Sequence, residues 1–530
     1  MINHRYTVRI SRCEPSHGVS RGECGEHSPL ASIFPRLARH GKRFLLQCTV
    51  FFSSHLHVRW VYLTVICLCL WGYGAIGMAD NLPDYSDPSR TVLSQAMEQQ
   101  LGKVFMQQLR ATGRVMDDPV DAQYINDLGR RLVTAAGAKK QSFFFFFMAD
   151  PVINSFAGPG GYIAIDSGLM LETENESELA AVMSHEIAHV TQGHLARELA
   201  DQSHLNLSLL AGMLAAVALG HVSGDAAEGA IAGTMAGDAQ STLNHSRAYE
   251  EEADRVGMKT LAQAGFDPNS MVVFFQRLSR EEGYNLEPPP FLSNHPATPE
   301  RIADAANRAA QYPVHPVKNS MDYALIKERL RVQTAVDVHA LLNYYQKQPS
   351  TLPLLQAEAN AYGYALSKEA NADYTGAYTD FTALVKAHPD ALLFVLGQAD
   401  SLADQNHFEE ALTVLTPLHV AHPDNYAVMI QYAYTLMTAG QPALATATIQ
   451  TYHLYHPGYP VPYALLADCQ AKAGKLAEAY QSRAYYLAER GAVQAAMTQL
   501  QMALQLPHND ADSIARIKAQ IQALQAEAHP

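Results

Sequence analysis

Three side chains in one short run could carry hydrolytic chemistry: His185, Glu186 and His189, in the order His-Glu-x-x-His within residues 182–190 (VMSHEIAHV). Residues 177–185 are rich in Glu, Leu, Ala and Met, strong helix formers, and Ser177 is the expected N-cap. Positions i and i+4 of a helix share a face, so two imidazoles can converge on a single Zn²⁺. Glu186 lies about 100° further round the helix, near enough to hold water at the metal without becoming a ligand. In a chain with 23 histidines, the same five residues also describe an ordinary helix.

A catalytic zinc needs a third protein ligand and an open fourth position. The metzincin pattern wants Gly at position 192 and His at position 195, whereas this chain has Gly193 and His194. His194 is therefore rejected as that ligand. The better candidates are Glu250 and Asp254 in residues 249–257 (YEEEADRVG), at i and i+4 of a second helix. One carboxylate can bind the metal while the other, one turn on, orients a ligand or exchanges protons. A run of glutamates is also what a solvated helix face looks like.

The elements around these residues are readable from pattern. Residues 94–110 and 124–133 have helical apolar spacing, and residues 143–148 form a short apolar run expected to be a buried strand. Residues 154–166 (NSFAGPGGYIAID) read as strand, Gly/Pro turn, strand. The second strand is expected at a sheet edge, where an extended substrate could add as a further strand; a plain hairpin fits equally well. Residues 207–220 are apolar but short for a membrane span, which suits a buried or interfacial helix and allows peripheral membrane contact. Residues 224–237 are rich in Gly and Ala and expected to be mobile.

These motifs together resemble the gluzincin peptidase family that includes HtpX and the CAAX prenyl proteases. His185–His189 is followed by Glu250-x-x-x-Asp254, preceded by the 154–166 strand pair, and trailed by residues 294–302 (NHPATPERI), all in the family's order. The resemblance implies an α+β zincin-type fold, mostly helical with a small sheet. It implies that Glu250 is the third ligand of one Zn²⁺ beside His185 and His189, and that Glu186 is the catalytic base. It also makes Asp254 a catalytic proton donor or a partner behind the ligands. His295 becomes a regulatory ligand that closes the fourth position and keeps the enzyme latent. Arg301 and Asn154 are carried as expected contacts to substrate or to the transition-state oxygen. The rival prenyl-protein protease would need several long apolar spans, and residues beyond 79 contain none.

The 530-residue chain is too long for one core, and its net charge of −14 argues against nucleic acid as a main partner. Residues 1–79 are different: nine Lys/Arg face three Glu there, and five of the six cysteines lie in it. An apolar core from Val61 to Trp71 leads to Gly77, Met78 and Ala79, so residues 1–79 are expected to be an extension plus signal peptide cleaved after Ala79. An uncleaved anchor is the alternative, and residues 1–55 are longer than a basic n-region needs. With that segment removed only Cys469 remains, expected as core filler without a disulfide.

Beyond the zincin motifs the chain repeats. His388, His422 and His456, each before Pro, recur every 34 residues, as do Ala377, Ala411, Ala445 and Ala479, and Gly440 with Gly474. That is the tetratricopeptide period, giving an all-α solenoid of about four repeats, the last irregular. The expected division is 80–320 for the protease, 321–510 for the repeats and 511–530 for a capping helix and tail. Such a stack recognises peptides or partner proteins and has no chemistry of its own. An exported zincin joined to a repeat arm resembles the branch of the family that serves β-barrel assembly in the Gram-negative periplasm. The resemblance implies a periplasmic endopeptidase and chaperone for unfolded or stalled outer-membrane proteins, working with their assembly machinery. The alternative is a non-proteolytic holdase or adaptor with a structural zinc.

Overall fold

The computed structural model describes residues 94–199, 239–282, 291, 295–313, 319–349, 351–456, 462–507 and 511–528. The expected leader and the runs 207–220 and 224–237 lie outside the described residues. No helix among the described residues is long and apolar enough to cross a membrane.

The run of phenylalanines becomes strand β1 (Phe144–Met148), and its alternation explains why every residue in it is apolar. Phe145 and Phe147 pack with Ile125, Leu128 and Leu132 of helix α2 (Pro119–Ala135). Phe146 and Met148 point the other way, toward Leu101, Phe105 and Leu109 of α1 (Gln95–Ala111). A strand covered on both faces has no polar side to show. Ser94 and Asp118 cap the two helices through side-chain bonds to backbone N–H groups, where four such donors have no helical partner.

Strands β2 (Ser155–Ala157) and β3 (Tyr162–Asp166) complete a three-stranded sheet in the order β1-β3-β2. The expected edge strand is thus corrected: β3 is central, parallel to β1 and antiparallel to β2. Its weak alternation reflects burial on both faces, with Ile163, Ala164 and Ile165 all at 0% exposure. The edge beside the motif helix is the three-residue β2.

After α3 (Ser167–Glu172) comes the motif helix α4 (Glu176–Thr191). Its N-cap is Asn175 rather than Ser177, because the Asn175 side chain accepts from the Glu178 N–H and sets Glu176 in the first turn. A short α5 (His194–Leu199) follows. Helices α6 (Ala239–Gln263), α7 (Asn269–Glu282) and α8 (Pro299–Ala309) close around α4, with α6 lying along it.

Helix α9 (Met321–Thr334) packs on α2 and α3 and also on α11 (Leu354–Ala370), beyond the short α10 (Val338–Gln346). From there the chain is an all-α tetratricopeptide-type solenoid. Its hairpins are α11 with α12 (Tyr374–Ala387), α13 (Leu392–Asp404) with α14 (Phe408–Ala421), and α15 (Tyr426–Thr438) with α16 (Pro442–Tyr455). Then come α17 (Tyr463–Lys472) with α18 (Leu476–Glu489), and α19 (Val493–Leu504) with the capping α20 (Ala511–Ala528).

The sequence markers sit where the repeat needs them. Ala377, Ala411 and Ala445 are wholly buried, and His388, His422 and His456 each cap the C-terminus of a second helix. The turns within hairpins carry a further 34-residue marker: Ala372, Asn406, Gly440 and Gly474 all have φ between 63° and 81°. Cys469 is buried in the core, and burial, together with Asp468, pushes its thiol up to about 12, as core filler requires. The repeat helices touch α1 and α2 through polar contacts, including Gln107 Nε2 donating to Ala488 O at 2.9 Å and the Tyr426 N–H donating to Gln123 Oε1 at 2.7 Å.

Candidate metal centre

Helix α4 is buried continuously from Glu176 to Ala188, so its polar side chains must find partners inside the protein. His185 Nε2 and His189 Nε2 face each other at 3.0 Å. Helix α6 reaches them at Gly257: a Cβ there would stand 3.0 Å from the His185 amide nitrogen and 3.1 Å from its Cα. That approach delivers Glu250 and Asp254, one helical turn apart, to the two nitrogens of the His185 ring. Glu250 Oε2 is 3.4 Å from His185 Nε2 and Glu250 Oε1 is 3.2 Å from His189 Nε2. Asp254 Oδ1 is 3.0 Å from His185 Nδ1.

His295 enters from the segment before α8. Its N–H bonds the Phe291 carbonyl at 2.7 Å, and the Phe291 ring packs against the imidazole. His295 Nδ1 lies 2.9 Å from Glu250 Oε1 and 3.3 Å from His185 Nε2. His185, His189, Glu250 and His295 therefore offer ligand atoms that all lie within 4.8 Å of one another. Corners about 2.0–2.1 Å from a zinc would form a tetrahedron with edges of about 3.3 Å. The donor pairs quoted, at 2.9–3.4 Å through one or the other Glu250 oxygen, are close to such edges. Three imidazoles and one carboxylate are also a zinc-type donor set.

The electrostatics favour positive charge at this spot. Burial works against a charge on His185, but Glu250 and Asp254 overcome it and push the imidazole up to about 10. Burial likewise opposes the Glu250 carboxylate, yet His295 and His185 hold it well below the usual range. Two imidazole nitrogens at 3.0 Å need a proton or a metal ion between them.

A second layer fixes these groups. Arg301 donates through Nε and Nη2 to both Asp254 oxygens, each at 2.8 Å. Its Nη1 reaches Pro296 O at 2.7 Å and Glu250 Oε2 at 2.9 Å. Ser155, on β2, donates to Glu186 Oε1 at 2.7 Å, and Glu186 Oε2 has no hydrogen-bond partner among the described residues. Behind His189 stands His194, the two Nδ1 atoms 3.0 Å apart.

A model of peptidase family M48 matches residues 119–309, which spans every residue of this cluster. A β-barrel assembly-enhancing protease of Escherichia coli (strain K12) is 33% identical over 415 residues, 78% of this chain and 85% of that protein. The chain belongs to the β-barrel assembly-enhancing protease family. The protein of the same description from Yersinia pestis is 32% identical over 418 residues, 79% of this chain and 86% of its own. A shorter match, 29% over 179 residues, reaches the mitochondrial metalloendopeptidase OMA1 of Schizosaccharomyces pombe, covering 34% of this chain and 50% of that one.

In this β-barrel assembly-enhancing family member, a metalloprotease, the structure brings His185, Glu186, His189, Glu250, Asp254, His295 and Arg301 into one cluster. The guanidinium of Arg301, the residue expected to contact substrate or the transition-state oxygen, bonds Asp254, Glu250 and Pro296. Asn154, also expected there, is 1% exposed and its side chain bonds the Asp166 carboxylate. The residue of that strand which meets the cluster is its neighbour, Ser155. Sequence reasoning passed over Ser155, and it dismissed His194 after testing it only as a ligand. The signal for His194 was the glycine before it.

Proposed function

We propose that the protein is a periplasmic zinc-dependent endopeptidase that acts on stalled or misfolded outer-membrane β-barrel proteins recruited by its repeats. The observation that carries this reading is the convergence of four metal-type donors beside the buried carboxylate of Glu186. Residues 80–320 form the catalytic unit in this reading, residues 321–510 the recognition arm and residues 511–530 its cap. An exported chain is consistent with the residue pattern of 61–79, and the related proteins are described as enhancing β-barrel assembly.

His185, His189 and Glu250 would hold the zinc. Zinc in such a set supplies a Lewis acid that polarises a peptide carbonyl and acidifies water. Glu186, fixed by the Ser155 hydroxyl, accepts the proton of the attacking water through the oxygen that has no partner, and returns it to the leaving amine. Asp254 accepts from His185 Nδ1 and so holds the tautomer that turns Nε2 toward the metal. Arg301 locks Asp254 and Glu250 in place. His295 takes the fourth donor corner and keeps the enzyme latent until it moves aside.

A closed set of four protein donors is also how a structural zinc is held, and this favours the second reading, a non-proteolytic holdase or adaptor. A structural site has no use for Glu186. The full exported chain, loaded with zinc, should cleave an unfolded outer-membrane protein, and Glu186→Gln should lower the rate by at least about 100-fold. Equal turnover by both would establish the holdase reading instead.

A further inference from the structure

Outside the four donors, one buried histidine has both ring nitrogens committed in a line that starts at the site. His194 is 2% exposed. Its Nδ1 lies 3.0 Å from His189 Nδ1, and its Nε2 lies 3.3 Å from Glu252 Oε2. A carboxylate only accepts, so His194 Nε2 must carry a proton and donate. A neutral His194 then has a bare Nδ1, which can only accept, and His189 Nδ1 must be the donor. That leaves a lone pair on His189 Nε2, the nitrogen that faces His185 and Glu250 at 3.0 and 3.2 Å. With His194 neutral, this assignment satisfies both of its contacts, and it leaves His189 Nε2 in the form a metal ligand requires.

We propose that His194 and Glu252 are a positioning relay for His189, holding its ring orientation and its Nδ1–H tautomer so that Nε2 meets the zinc. The inference rests on the zinc reading above and deepens it. It gives the two helical histidines separate supports: Asp254 acts directly on His185, while His189 is served through a second imidazole. Glu252 is itself tied down by Arg197 at 2.6 Å and Arg255 at 3.5 Å. Tyr249 stacks on His194 with ring centres 4.7 Å apart, and the Arg197 guanidinium lies over the Tyr249 ring at 4.5 Å.

The backbone explains why the relay can exist. On an uninterrupted helix a residue five positions after His189 would lie about 140° round from it. Here α4 stops, Gly193 takes φ 65°, and α5 begins at His194, so the imidazole swings back against His189. The left-handed turn is available to glycine at little cost.

The test is zinc affinity of the full chain, measured by competition with a chromophoric chelator, alongside melting of the metal-free forms. His194→Ala should bind zinc about 10–100-fold more weakly than wild type. His194→Asn, whose Oδ1 can accept where His Nδ1 did, should recover most of that loss, although both variants lose the Tyr249 stack and should melt alike without metal. Wild-type affinity in His194→Ala, or equal weakness in the Ala and Asn variants, overturns the relay. Failure of the wild type to bind one zinc per chain, with His189→Ala no different, would overturn the zinc reading itself.

Discussion

His295 lies 110 residues beyond His185, yet its Nδ1 stands 3.3 Å from His185 Nε2. Its other nitrogen, Nε2, faces Glu186 Oε1 at 3.7 Å. One ring therefore lies against both the donor cluster and the base.

Removing that ring should release the enzyme. In His295→Ala, basal cleavage of an unfolded protein should rise by up to about tenfold, as expected where the open form holds about a tenth of the molecules. Zinc should remain bound, and adding Glu186→Gln should abolish the gain. A basal rate unchanged from wild type would remove His295 as a latch.

The α4–α6 approach can be tested at Gly257. A valine there must push its side chain toward the His185 backbone, which sits in a buried helix and cannot yield. Gly257→Val should destabilise by about 1–3 kcal/mol in urea unfolding and should weaken zinc binding, since Glu250 and Asp254 move with α6. Full stability with weakened binding would instead mean that α6 shifts as a rigid body.

Asp166 at the end of β3 should govern part of the pH dependence of stability. Burial, with Asp150 beside it, pushes its carboxyl from 3.8 up to about 8. A raised folded-state value contributes stability fully at low pH, and that stability is lost as pH rises from the unfolded value through the folded one. Asp166→Asn cannot ionise, so its advantage in melting temperature over wild type should grow between about pH 4 and pH 8. Parallel curves across that range would place the ionisation elsewhere.

The first hairpin turn of the repeat arm carries a correctable strain. Ala372 holds φ 63°, at the position where later repeats use Gly440 and Gly474. A non-glycine residue in that region gives up about 1–2 kcal/mol, part of which glycine returns as chain entropy. Ala372→Gly should therefore stabilise by about 0.5–1 kcal/mol, and Gly440→Ala should destabilise, both read by urea unfolding. A loss of stability in Ala372→Gly would show that its methyl group packs.

Much of the molecule was legible because its information is local. The i, i+4 histidines and carboxylates are spacing along one helix, and the 34-residue markers are spacing along one solenoid, where each repeat meets only its neighbours. The matching motif order added His295 and Arg301 to the list. Local reasoning failed where the answer depends on what a chain segment meets. Whether β3 is an edge or a centre depends on β1, which precedes it by a dozen residues and covers its outer side. Asn154 and Ser155 are adjacent and both polar, and only the neighbouring elements decide that Ser155 meets Glu186 while Asn154 meets Asp166.

By itself the sequence determined the element types, the repeat period and which side chains have metal-type chemistry. Only the tertiary structure decided what each of those groups touches: Arg301 on Asp254 and Glu250, His295 against Glu250 and His185, His194 behind His189. The reason is physical. Spacing sets which face of a helix a side chain occupies, but the hydrogen-bond partner of a buried group is set by the nearest other element. At this site that nearness comes from a missing side chain at Gly257 and a left-handed turn at Gly193.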